Sequence, residues 1–205
     1  MENPMRVGLL SAGLVLIGLA QSAVAGTVLV VGDSISAGFG MDSQAGWVAL
    51  LEQRLETEGI DAKVVNASIN GDTSAGGQAR LPALLSEYKP ALVVLELGGN
   101  DGLRGQAPKQ LQQNLASMID ASRAAGAKVL LLGMRLPPNY GKRYTDAFAQ
   151  VYSDLQRDKQ VPLVPFFLEG VGGVPELMQA DGIHPRPSAQ PRLLENAWPQ
   201  LKPLL

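Results

Sequence analysis

Short apolar runs recur along this chain, separated by stretches whose apolar residues keep helical spacing, and that alternation constrains the fold most. Thr27–Val31 is uncharged and β-branched, as a buried strand is. Lys63–Asn66 reads as a second, shorter strand. Ala91–Leu97, bounded by Pro90 and Gly98, is the strongest, yet its one charge, Glu96, does not suit a fully buried central strand. Lys128–Gly133 is apolar after its first residue. Val161–Phe167 carries Pro162 and Pro165, which fits only an edge.

Between these runs lie the helices. Trp47, Val48, Leu51 and Leu55 share one face, with a cap at Asp42 or Ser43 and a stop at Gly59. Asp72 or Thr73 caps the next, whose first turns Gly76, Gly77 and Pro82 make irregular. Leu111, Leu115, Met118 and Ile119 follow Pro108 at helical spacing, and Gly126 closes that helix. Tyr144, Phe148, Val151, Tyr152 and Leu155 line another, and the last starts near Pro187 or Ser188 with Leu193, Leu194 and Trp198. Such alternation predicts the α/β class: a three-layer α/β/α sandwich on a central parallel sheet, with flavodoxin-like strand order.

No repeat, charge block or low-complexity linker divides residues 26–205, so they are expected to form a single domain. A domain of this size buries roughly 70% of its unfolded surface. Residues 1–25 read as a secretory signal peptide. Arg6 supplies the positive region, Val7–Ala20 the uncharged one, and Ala23-Val24-Ala25 the cleavage pattern. A membrane span would draw Thr27–Val31 into the bilayer and strand the following turn at its edge. The expectation is therefore a mature chain from Gly26, periplasmic or secreted, with no stable membrane insertion after cleavage.

Composition narrows the chemistry. Net charge is −2 and the basic residues form no stripe, so nucleic acid is not an expected partner. Cysteine is absent and histidine occurs once. That removes disulfides and thiolate metal sites, and leaves a catalytic zinc short of ligands; no metal is expected.

Thr27–Val31 runs into Gly32-Asp33-Ser34-Ile35-Ser36, which leaves Ser34 at the carboxyl end of a strand, where α/β proteins place ligands. The tripeptide alone is a weak signal, since Gly, Asp and Ser crowd every turn. It is also not the G-x-S-x-G elbow of α/β-hydrolases. A serine nucleophile needs a base, and His184 is the sole histidine. In Asp181-Gly182-Ile183-His184-Pro185 the acid stands three residues before it, placed to fix the imidazole tautomer and leave the other nitrogen for Ser34. Asp33 and Asp101 are rival acids. Asp33 points away from its neighbour in an extended segment, and Asp101 better suits holding the Asn100 loop, so Asp181 is the choice.

Acyl transfer also requires donors aimed at a developing oxyanion. The amides of Ser34 and Gly71 and the side chain of Asn100, in Gly98-Gly99-Asn100-Asp101, fit that role. Two loops, Gly102–Pro108 and Gly133–Gly141, should border Ser34, and each presents a leucine. Leu103 and Leu136 are candidates for substrate binding as an acyl wall; the alternative is that each packs under its own loop.

Taken jointly, Gly32–Gly38, Gly71 after Asn66, Gly98–Asp101 and Asp181–Pro185 occur in the order of the SGNH (GDSL) hydrolase blocks, and the chain resembles that family. Val64–Ile69, Gly71–Ser74, Leu97–Gly105 and Arg135–Pro137 are similar to its branch of bacterial periplasmic thioesterases, lysophospholipases and arylesterases. The resemblance covers the chain from about Thr27 onward. It implies Ser34 as nucleophile, His184 as base, Asp181 as orienting acid, and Gly71 and Asn100 beside the Ser34 amide in the oxyanion hole. It also implies no metal or cofactor, and a small-molecule ester or thioester as substrate. A monomer is expected. Two other readings compete. One is a deacetylase of acetylated carbohydrates on the same fold, which the apolar Leu103 and Leu136 disfavour. The other is a non-catalytic flavodoxin-like binding protein, whose phosphate Asp33 would repel.

Overall fold

The computed structural model describes Met1 and residues 26–205; the expected signal segment, 1–25, lies outside the described residues apart from Met1. Strands β1 (Gly26–Gly32), β2 (Ala62–Asn66), β3 (Leu92–Glu96), β4 (Lys128–Leu132) and β5 (Leu163–Val164) form one sheet. Every pairing is parallel and the order is β2-β1-β3-β4-β5, the flavodoxin-like order expected. Among the described residues the helices are α1 (Ser34–Ala37), α2 (Trp47–Thr57), α3 (Ser74–Tyr88), α4 (Gly99–Leu103), α5 (Pro108–Ala124), α6 (Lys142–Lys159) and α7 (Gln190–Leu201). Helices α2 and α7 pack together on one face, and α3, α5 and α6 side by side on the other. No helix among the described residues is long and apolar enough to cross a membrane.

Burial explains the strand sequences. Residues Val28–Val31 of β1 and all of β3 are buried, as central strands covered on both faces must be, and they read as continuous apolar runs. Edge strand β2 has no fully buried residue. The run Val161–Phe167 contracts to a two-residue strand because a proline, which lacks an N–H, stands on either side of it. The carbonyls of Pro162 and Val164 still accept from Leu131 and Gly133 of the neighbouring strand segment.

The helical faces follow the apolar spacing, with local differences. Trp47, Val48, Leu51 and Leu55 are buried in α2; Leu111, Leu115, Met118 and Ile119 in α5; Phe148, Val151, Tyr152 and Leu155 in α6. Tyr144 is only half-buried, and its hydroxyl donates to the Gln106 carbonyl at 2.6 Å. Thr73 rather than Asp72 caps α3, accepting from the Gly76 amide, while Asp72 pairs with Arg80. Asp42 caps a separate 3-10 turn, Ser43–Ala45, so α2 begins without a cap of its own. Its first amide, on Trp47, donates instead to the buried Gln190 side chain of α7 at 3.0 Å.

Candidate active site

The residues selected for chemistry come from loops that all leave the carboxyl edge of the sheet. Ser34 is the first residue of α1, directly after β1. Asp33 turns the chain there, and its Oδ1 accepts from the Ile35 amide at 3.0 Å, capping the short helix. Ser34 is 8% exposed, with its hydroxyl 2.8 Å from His184 Nε2. His184 Nδ1 lies 2.7 Å from Asp181 Oδ2, and Asp181 Oδ1 accepts from the amides of Ile183 and His184 at 2.9 and 3.0 Å. Burial works to raise the Asp181 carboxyl, but those amides and the imidazole outweigh it and hold the group at about 2. An ionised carboxylate only accepts, so Nδ1 carries the hydrogen and Nε2 is left with the lone pair that faces Ser34. Phe39 lies tilted against the imidazole, ring centroids 4.4 Å apart.

Gly71 and Asn100 approach from the next two strands. Gly71 holds φ +74, a left-handed conformation that favours glycine. Its carbonyl accepts from Arg104 at 2.9 Å, which anchors the peptide that follows it. Among the described residues the amides of Ser34 and Gly71 have no acceptor within the chain. Asn100 does not sit on a simple turn. Gly98, at φ +121, starts the helical turn α4, and Asn100 is its second residue. Its Nδ2 donates one hydrogen to Asp33 Oδ2 at 3.1 Å, leaving the second free. Asp101 is buried and points the other way, accepting from the Ser74 amide at 2.8 Å and from its hydroxyl, which also accepts from Asn114. It ties α4 to α3 and α5.

The two leucines are placed differently from one another. Leu103 is half-buried at the end of α4, so that border is helical rather than loop. Leu136 packs against the core: a Cβ added to Gly102 would lie 2.4 Å from a Leu136 methyl and 2.8 Å from the Phe148 ring. Leu136 also lines a cleft of about 660 Å³ with Thr145, Asp146, Ala149 and Gln150 of α6; Ser34 is not among the lining residues.

Three contributors were not picked out from the sequence. Arg80 staples the ends of β1 and β2, donating to the Gly32 and Ala67 carbonyls while paired with Asp72. Phe39 gave no signal beyond its place in a loop. Glu96 did give one, as a charge inside the strongest strand. It is completely buried, and its Oε2 accepts from the Asp33 amide at 3.3 Å, the Ser36 amide at 3.2 Å and the Ser36 hydroxyl at 2.6 Å. Burial pushes the Glu96 carboxyl well above the ordinary glutamate range, with the Asp33 charge adding to the push. Burial likewise raises Asp33, to about 6.

A model of the GDSL-like Lipase/Acylhydrolase family matches residues 30–190. The chain is 69% identical to the Pseudomonas aeruginosa "Esterase TesA", over 98% of this chain and 100% of that one. It is 49% identical to the Escherichia coli "Thioesterase 1/protease 1/lysophospholipase L1", over 90% of this chain and 88% of that one. Among solved structures it is similar to the crystal structure of TesA, with a TM-score of 0.86 and 72% identity, over 87% of this chain and 99% of that one.

Proposed function

The chain belongs to the GDSL-like lipase/acylhydrolase family and hydrolyses esters and thioesters; we propose that it does so through an acyl intermediate on Ser34. The observation that carries this reading is the unbroken relay from Ser34 Oγ to His184 Nε2 and from Nδ1 to Asp181, at 2.8 and 2.7 Å. As Ser34 attacks the acyl carbonyl, Nε2 takes its proton, and Asp181 stabilises the imidazolium without itself being protonated. The carbonyl oxygen, now negative, is met by the Ser34 and Gly71 amides and the free hydrogen of Asn100. His184 returns the proton to the departing alcohol or thiol. Water then repeats the sequence in reverse and frees the acid.

The substrates are small esters and thioesters. Acyl esters and lysophospholipids head the list, because Leu103 and Leu136 offer apolar surface beside α4 and a relative's name includes lysophospholipase. Residues 26–205 act as one hydrolase domain and as a monomer. Export is proposed from the charge and apolar pattern of residues 1–25, which places the activity in the periplasm or outside the cell.

A fluorophosphonate probe tests the reading directly. The wild type is expected to gain one phosphonyl group, mapped by peptide mass to Ser34. His184→Ala, with the fold intact by circular dichroism, is expected to label at least about 10³-fold more slowly. Labelling at another serine, or a His184→Ala variant that reacts at the native rate, would overturn it.

A further inference from the structure

We propose that Glu96 is a positioning residue of this site: its Oε2 clamps the backbone on both sides of Ser34, and so fixes the nucleophile and, through Asp33, the Asn100 amide in one register. The inference rests on the Ser34 hydrolase reading and deepens it.

The clamp is built from both strands it joins. Glu96 ends β3 directly opposite Gly32, the last residue of β1. A Cβ on Gly32 would lie 2.7 Å from Glu96 Oε2 and 2.8 Å from Ser36 Oγ, so the glycine before Asp33-Ser34 makes room for a carboxyl. Into that space Oε2 receives the amides of Asp33 and Ser36, the residues flanking Ser34 by one and two positions, and the Ser36 hydroxyl. The direction of the hydroxyl is fixed. Trp47 Nε1 is a donor only and lies 3.1 Å from Ser36 Oγ, so that oxygen accepts from the indole and passes its own hydrogen to Glu96. Asn66 Nδ2 holds the Ser36 carbonyl at 2.8 Å, closing the far side of the turn.

A packing role does not account for this arrangement. A leucine would fill the same volume in a strand that is otherwise apolar, and would avoid burying a carboxyl whose Oε1 has no partner among the described residues. What leucine lacks is an acceptor for buried donors at the one turn where the nucleophile stands. Burial and the Asp33 charge favour the neutral form of this carboxyl, while Asp33 holds Asn100. A neutral acid with one accepting oxygen is closely matched by an amide. Glutamine should therefore substitute where leucine fails.

The experiment compares Glu96→Leu, Glu96→Gln and Ser36→Ala with wild type, using p-nitrophenyl butyrate turnover per fluorophosphonate-labelled site and thermal melts. Glu96→Leu is expected to lower kcat about 10²-fold with KM nearly unchanged, as misplacement of a nucleophile does, and to slow Ser34 labelling in parallel. Glu96→Gln should stay within about 3-fold of wild type in kcat. Ser36→Ala keeps the glutamate and removes its shortest partner; kcat should fall about 10-fold at constant KM. A purely structural role would lower the melting temperature of Glu96→Leu but leave kcat per labelled site unchanged, and that result overturns the proposal. If Glu96→Leu does not fold, Ser36→Ala decides alone, and an unchanged kcat overturns it. A wild type that fails to label at Ser34 sinks the hydrolase reading itself; a labelled wild type with unaffected variants sinks only the role of Glu96.

Discussion

Asn100 has two side-chain hydrogens, and the structure uses one of them on Asp33. Its plane is therefore fixed before substrate arrives, which is what makes a side-chain donor worth having at a developing oxyanion. Asn100→Ala should lower kcat by about 10²–10³ with little change in KM. Steady-state kinetics on a short-chain ester checks this; a rise in KM alone would make Asn100 a substrate-binding residue instead. The pieces Ser34, Asp181, His184, Gly71 and Asn100 could be picked out from the sequence because each is a chemically special residue in a turn. Their partners could not. That Asp33 turns its carboxylate to Asn100, and that Glu96 faces Ser36, depends on which side chains meet across strands far apart in sequence. The one hint was Glu96, a charge in an otherwise apolar strand.

Strands β1, β3 and β4 and the buried faces of α2, α5 and α6 were legible because each satisfies its pattern locally, by period or by uninterrupted apolarity. What local pattern could not give was the start of α2. Asp42 has cap chemistry but uses it on a 3-10 turn, and the acceptor for Trp47 comes from Gln190, far along the chain. Gln190→Ala should leave the buried Trp47 amide without a partner, at about 1–3 kcal/mol, and lower the melting temperature by several degrees in a chain of this length. An unchanged melt would mean that Trp47 finds another acceptor. Element α4 brings a second expectation. Leu136 rests on Gly102 of α4 and packs against the core, yet part of it stays accessible. If that part meets an acyl chain, each methylene buried there contributes up to about 0.8 kcal/mol. Leu136→Asp should then penalise C10 and C12 p-nitrophenyl esters several-fold more than the C4 ester. Chain-length profiles that shift in parallel would confine Leu136 to packing.

For the molecule as a whole, the site sets two carboxyls of opposite behaviour within one small volume, and pH should separate them. Asp181, held at about 2, is ionised more readily in the folded chain than in the unfolded one. It stabilises the fold above pH 4, and that contribution is lost as pH falls from 4 toward 2. Asp33 runs the other way. Burial raises it to about 6, so between pH 6 and 4 the folded chain binds a proton that the unfolded chain releases. Its stabilising proton is fully present below about pH 4 and lost as pH rises through 6. Burial raises Glu96 too, so it adds a slope of the same sign, and it is present in wild type and variant alike. A displacement from 3.8 to about 6 corresponds to at most about 3 kcal/mol. That is several degrees in the melting temperature of a chain this long. Thermal melts of wild type and Asp33→Asn at pH 7.5 and pH 4.5 read this difference. Asparagine cannot ionise, so the wild type should gain several degrees on the variant as pH is lowered, whatever the variant loses at Asn100 under both conditions. A gap of equal size at the two pH values would mean that Asp33 is not titrating in this range.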